Sequence, residues 1–428
     1  MTGGGTQLSL QGSQDKYLYH KAVHSYFTSH HKTFENFAIE SMQLTAQGQV
    51  DFGRIAVFTI TGNAELICGA AVEILLPALT APQDQDVAWI HQIGFYIFKK
   101  IEFKAQSQLL DTQYPQYLDL WTRLSVDASK REGFNDLIGE INFHNRLIDN
   151  HAARIGVFSD NAPQVRKNTK PQIRLLVPLY FWWCLDYSQA IPIGVLMYVN
   201  LQVWIEFRTV TECYVSSAAL ASQPSIIDVK LYVDYVFLDD AARNRIARDA
   251  AFYVFKQTQH PGPISVDSTT VSYRLPFVMP VCHLMLAVQE DDAVAPNVRR
   301  YDWYDRYNGN PDNLPDEPIE LLEIKLSSQR RLEPRGYLYH CRYQPYKHHT
   351  SIPSTRGLYA YSFALHPEQS DASGAANFSR SENNYVVLTF NNSGGNGIGP
   401  HTGTLYIFAT NYNYLYIESG FLTMLYNA

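Results

Sequence analysis

Asn200-Leu201-Gln202-Val203-Trp204-Ile205-Glu206-Phe207 decides the fold class. Successive side chains of an extended strand point to opposite faces. Leu201, Val203, Ile205 and Phe207 therefore share one face, and Asn200, Gln202 and Glu206 share the other. One apolar and one polar face is the mark of an antiparallel sheet with a single buried side. The pattern recurs at Val229, Leu231, Val233, Tyr235 and Phe237, and again at Leu405, Ile407 and Ala409. Helical signals are few. One helix is expected from Asp239, a suitable N-cap, with Asp240 in the first turn. Ile246, Ala250, Tyr253 and Val254 would then form an apolar stripe packed on the second half of the chain, and Pro261-Gly262-Pro263 would close the segment. A shorter helix is expected around Gln116 to Trp121.

The composition agrees with an all-β chain. Aromatic residues are abundant, with 29 Tyr and 22 Phe, and such residues favour strands. The 428 residues suggest two or three domains. A formal net charge of −7 leaves no basic stripe to neutralise phosphates, which argues against direct nucleic-acid binding. No apolar run reaches the roughly 20 residues that a transmembrane helix needs, and no secretory signal is visible. Cys68, Cys184, Cys213, Cys282 and Cys341 are widely spaced. They read as reduced thiols acting as small hydrophobes, not as a disulfide framework.

Two strand-rich halves emerge. Residues 1–25 are rich in Gly, Ser and Gln and read as a polar arm, in which Tyr17, Leu18 and Tyr19 are the apolar cluster able to dock. Thr211 to Ser225 turns small and polar between two alternating strands, and reads as a linker. The expected division is arm 1–25, first sandwich 26–212, linker 213–226 and second sandwich 227–428. Three segments read as long loops: Val126 to Lys170, Asp302 to Pro318 and Asn391 to Gly403.

Motifs that could carry chemistry have simpler readings. Gly394-Gly395-Asn396-Gly397-Ile398-Gly399 precedes a strand, whereas a phosphate cradle precedes a helix, so it reads as a hairpin loop. His348-His349, like His30-His31, would point to opposite faces of an extended segment and lacks the spacing of a metal site. Asp239-Asp240 cannot flank a glycosidic bond, and helix capping explains it. Trp182-Trp183 reads as core or subunit contact in preference to a sugar platform. No catalytic residue, metal ligand or cofactor is expected. Of the sequons at Asn377 and Asn391, Asn391 opens the more exposed loop and is the candidate for a glycan.

Three stretches now carry a resemblance. They are Gln344-Pro345-Tyr346-Lys347-His348-His349-Thr350, Gly357-Leu358-Tyr359-Ala360-Tyr361-Ser362-Phe363-Ala364-Leu365 and Ser373-Gly374-Ala375-Ala376-Asn377-Phe378-Ser379-Arg380. In that order and spacing they resemble the C-terminal signature of the major capsid proteins of nucleocytoplasmic large DNA viruses. Gly12-Ser13-Gln14-Asp15-Lys16-Tyr17-Leu18, Asn36-Phe37-Ala38-Ile39-Glu40, Leu176 to Cys184, Ala190 to Ile193 and Asp234 to Asp239 extend the resemblance over most of the chain. It implies two consecutive eight-stranded antiparallel jelly rolls with a few short helices. The first long loop would lie between the fourth and fifth strands of the first roll, and the last would join the final two strands of the second.

The resemblance further implies a homotrimeric, pseudo-hexagonal capsomer of a large icosahedral shell. Its partners would be neighbouring capsomers, minor capsid and penton proteins, with an internal membrane beneath the shell and synthesis in the host cytoplasm. Two rival expectations are a carbohydrate-binding or glycan-hydrolysing β-sandwich and a virophage capsid protein.

Overall fold

The computed structural model describes residues 3–15, 18, 21, 27, 29, 33–80, 87–90, 92–139, 169–216, 220, 222–248, 251–290, 319–353, 357–390 and 403–426. Residues 1–36 and 37–428 form separate compact units. Within the first, the expected polar arm contains a short helix, Gly3–Ser9, with no buried residue.

The second unit contains two β-sandwiches. The strands of the first are Phe37–Thr45, Ile55–Ile60, Leu66–Leu76, Phe98–Ala105, Gln108–Gln113, Ile173–Pro178, Leu201–Phe207 and Asp228–Leu238. Numbered within the sandwich, they form two sheets of order 1-8-3-6 and 2-7-4-5. The strands of the second are Ala251–Gln259, Thr270–Arg274, Pro280–Glu290, Ile319–Leu326, Gln329–Arg335, Leu358–Ser362, Tyr385–Phe390 and Gly403–Glu418. Their order is the same, 1-8-3-6 and 2-7-4-5, with three short strands added to the first sheet. Antiparallel pairing of first with eighth and second with seventh is jelly-roll topology. The chain is a double jelly roll.

Alternation places the side chains as the sequence requires. Leu201, Val203, Ile205 and Phe207 are buried in the first core, as are Val229, Leu231, Val233 and Tyr235. The second sandwich buries both faces of its 1-8-3-6 sheet. Leu284, Leu286, Val288, Leu405 and Ile407 fill its own core, whereas Phe255, Met285, Ala287 and Phe408 join the apolar core of the first sandwich. The two rolls are thus joined by a continuous hydrophobic core.

Three expectations are corrected. The boundary does not lie at 213–226, and the second sandwich does not start at 227. Strand Asp228–Leu238 pairs with Phe37–Thr45 and Leu66–Leu76, so it completes the first roll. A small, polar connection between strands seven and eight has the composition of a linker, which is why the two were confused. The helix after Asp239 does form, and Asp239 accepts a hydrogen bond from the Ala242 amide at 2.9 Å. It spans only Asp240–Arg248 and buries only Ala242. Tyr253 and Val254 lie instead on the strand Ala251–Gln259, whose aromatic and β-branched run suits a sheet. The helix is held to the first roll, not the second, through Arg243 and Glu65 at 2.7 Å.

The segment 126–170 lies between strands five and six, because a tight turn already joins four to five at residues 106–107. Its described part is not all loop but carries the helix Arg131–Ile138. Trp182-Trp183 opens a helical turn, Trp182–Leu185, and both rings are buried in the core that joins the rolls.

Candidate assembly surfaces

Tyr114-Pro115-Gln116-Tyr117 leads from the fifth strand of the first roll into the helix Pro115–Ser125, with proline in its first turn. Proline is favoured there because its missing N–H has no intrahelical partner to lose. Tyr117 and Trp121, one turn apart, stack with centroids 6.1 Å apart. This pair seats on the outer face of the 1-8-3-6 sheet of the second roll. Tyr117 meets Phe408 edge-on at 5.7 Å, and the buried Thr410 hydroxyl near it meets no partner within hydrogen-bond distance among the described residues. Trp121 lies 6.0 Å from His283 and 6.3 Å from His349.

Polar contacts reinforce this seam. Gln257 Nε2 donates to the Leu110 carbonyl at 2.8 Å. The Thr258 amide donates to Asp111 at 2.9 Å, and burial pushes the Asp111 carboxyl up to about 7. The Ser351 amide donates to the Leu124 carbonyl at 2.8 Å. Trp182 packs on Phe255 with centroids 4.4 Å apart.

Two features of the surface remain open. On the outer face of the 1-8-3-6 sheet of the first roll is a cavity of about 340 Å³, lined by Ser41, Cys68, Gly69, Tyr232 and Asp234 among others. The Asp234 carboxylate meets no donor among the described residues. A Cβ on Gly69 would sit 2.5 Å from Asp234 Oδ2, so only glycine leaves room for that carboxylate. The other feature follows the fifth strand of the second roll. Tyr339 and Tyr343 stack at 5.7 Å on the π-helical turn Leu338–Tyr343. Tyr343 is 51% exposed, and Leu338 and Tyr346 beside it are 72% and 73% exposed.

The residues singled out from sequence fare differently. Leu18 is exposed, whereas Tyr17, Tyr19 and Asn391 lie outside the described residues, as do His30 and His31. His348 is helical, not extended, and its Nδ1 pairs with the Leu365 carbonyl at 3.0 Å. His349 Nδ1 donates to Glu368 at 2.9 Å, and its Nε2 lies 3.1 Å from His283 Nε2. Nitrogens that close share a proton, not a metal ion. Among the described residues no group of three or more His, Cys, Asp or Glu could hold a metal. All five cysteines are unbridged. Sequence reasoning missed Asp111, Tyr117, Tyr339 and Asp234. The signal for the tyrosines was a pair of aromatics one turn apart, at the same distance beyond the fifth strand of each half.

Residues 25–239 match the family described as major capsid protein N-terminus, and residues 242–423 match the large eukaryotic DNA virus major capsid protein. The chain belongs to the major capsid proteins of large eukaryotic DNA viruses. The family boundary falls at the helix Asp240–Arg248, where the structure divides the rolls. The major capsid protein of Phaeocystis pouchetii virus is 26% identical over 98% of both chains. That of Paramecium bursaria Chlorella virus 1 is likewise 26% identical over 98% of both.

Among solved structures, PBCV-1 VP54 superposes with a TM-score of 0.75 at 22% identity, covering 94% of this chain and 100% of that one. The Faustovirus major capsid protein gives 0.73 at 14%, covering 95% and 94%. This capsid protein is a structural component of the virion shell, and its relatives are structural proteins, not enzymes. No helix among the described residues is long and apolar enough to cross a membrane.

Proposed function

We propose that this capsid protein forms homotrimeric capsomers with a pseudo-hexagonal outline. Each chain supplies two jelly rolls, so three chains supply six. The observation that carries this reading is two sandwiches of identical strand order fixed together by one continuous core. Such a chain is two similar building blocks at a set angle, and closed cyclic symmetry converts three of them into a ring.

The capsomers would tile an icosahedral shell beside minor capsid and penton proteins, over an internal membrane, after synthesis in the host cytoplasm. The arm with Tyr17, Leu18 and Tyr19 would dock beneath the shell, and a glycan on Asn391 would face outward. Electron micrographs of the purified protein test the outline. End-on views with six lobes around a three-fold axis are expected. Particles with only two lobes would contradict it.

A further inference from the structure

The two rolls can be compared strand by strand, because each third strand carries one bulge against its eighth. In the second roll, Val281 opposes Asn411 and His283 opposes Thr410, which leaves Cys282 extra. In the first, Ile67 opposes Tyr235 and Gly69 opposes Asp234, which leaves Cys68 extra. The match continues outward. Met285 opposes Phe408 as Ala71 opposes Tyr232. On the first strands, Thr258 opposes Thr410 as Ser41 opposes Asp234. Thr258, Cys282, His283, Phe408 and Thr410 therefore correspond to Ser41, Cys68, Gly69, Tyr232 and Asp234. The first set surrounds the seat of Tyr117 and Trp121. The second set lines the open 340 Å³ cavity.

The segments after the fifth strands correspond as well. The strands end at Gln113 and Arg335. Tyr117 and Tyr339 each follow by four residues, and Trp121 and Tyr343 each by eight. Both pairs stack, at 6.1 Å and 5.7 Å. Within one chain, then, one plug fills one socket, while a second socket is open and a second plug exposes Tyr343. The Tyr339 of that plug is half-buried against the second core and accepts from Gln344 Nε2 at 3.0 Å, which leaves the hydroxyl proton to donate.

We propose that Tyr339 and Tyr343 of one copy insert into the socket of Ser41, Cys68, Gly69, Tyr232 and Asp234 on a second copy. The contact repeats between chains what Tyr117 and Trp121 do within one. It rests on the trimeric reading above and names the surface that closes the ring. The chemistry fits the substitutions. By register Asp234 stands where Thr410 does in the filled socket, so the incoming Tyr339 hydroxyl donates to a carboxylate that otherwise meets no donor among the described residues, a charge-assisted bond. Gly69 stands where His283 carries an imidazole, and this opens the volume. Leu338 and Tyr346 widen the apolar ridge around the plug. Plug and socket differ, so the contact is head-to-tail and needs a closing rotation, which three two-roll chains provide.

The test is an interchain disulfide. Ser41→Cys and Tyr343→Cys are combined in one chain, and the purified protein is oxidised and run on a non-reducing gel, with each single variant as control. Covalent dimers and trimers from the double variant alone are expected. A trimer by mass that gives no interchain bond overturns the socket while leaving the trimer standing. A monomer by mass overturns both. Separately, Tyr339→Phe should raise the concentration at which the trimer dissociates by about tenfold, the usual loss for a hydrogen bond to a charged group. An unchanged midpoint contradicts the pairing with Asp234.

Discussion

Cys68 and Cys282 occupy the same address in two different sandwiches, each as the extra residue of a bulge in the third strand facing the eighth. Bulges bend a strand and aim the neighbouring side chains. Here they place Gly69 and His283 at the same point of two outer faces. One face is covered by the chain itself and the other is open.

Trp121 joins the rolls, since it belongs to the first and packs on His283 of the second. Trp121→Ala should cost about 3–5 kcal/mol, as for other buried aromatics. Because the core is continuous, calorimetry should record one unfolding transition for both rolls, moved to lower temperature. Two separate transitions, one of them unmoved, would mean that the seam does not couple them.

Asp111 sets an alkaline limit on the seam. Its folded pKa, about 7, lies above the ordinary value of 3.8 because of burial. A raised carboxyl pKa contributes its stability fully below the unfolded value and loses it as pH rises through the folded one. Asp111→Asn keeps an acceptor for the Thr258 amide but does not ionise. The variant should gain in Tm relative to the parent between pH 5 and 8. A Tm difference that stays constant over that range would refute the assignment.

His283 sets the opposite limit. Burial holds its pKa well below the usual imidazole range, and the neighbouring His349, Lys256 and His348 add to the effect. A depressed pKa gives stability that is complete above the unfolded value, about 6.5, and is lost as pH falls toward the folded value. The neutral ring donates from Nε2 to His349, whose Nδ1 donates to Glu368. A further proton on His283 would go to Nδ1, which is buried and meets no partner among the described residues. His283→Phe should therefore flatten the fall of Tm below pH 6.5. An equally steep fall in the variant would place the acid sensitivity elsewhere.

The arm should serve assembly and not folding. Deleting residues 2–20 is expected to leave soluble trimers with unchanged Tm and to lower the yield of particles. Either a misfolded variant or a normal particle yield would exclude that role.

Much of the fold was legible in the sequence because one-sided burial writes period two directly into strands such as Leu201–Phe207. The boundary between the rolls was not, because composition cannot separate a linker from the connection that leads into Asp228–Leu238. The helix at Asp239 was legible at its cap and not at its end, since Tyr253 and Val254 fit either period and pairing with Gly403–Glu418 decides between them. The assembly surfaces were hidden for another reason. Asp111 lies 147 residues from Thr258, and Ser41 and Gly69 lie far in sequence from Asp234, so only strand pairing brings each set together.

The solution mass of the purified protein tests the central claim most directly. Light scattering across micromolar concentrations at neutral pH should give three times the 48.8 kDa chain mass. A folded protein that stays at the mass of one chain would contradict a capsomer built from six jelly rolls.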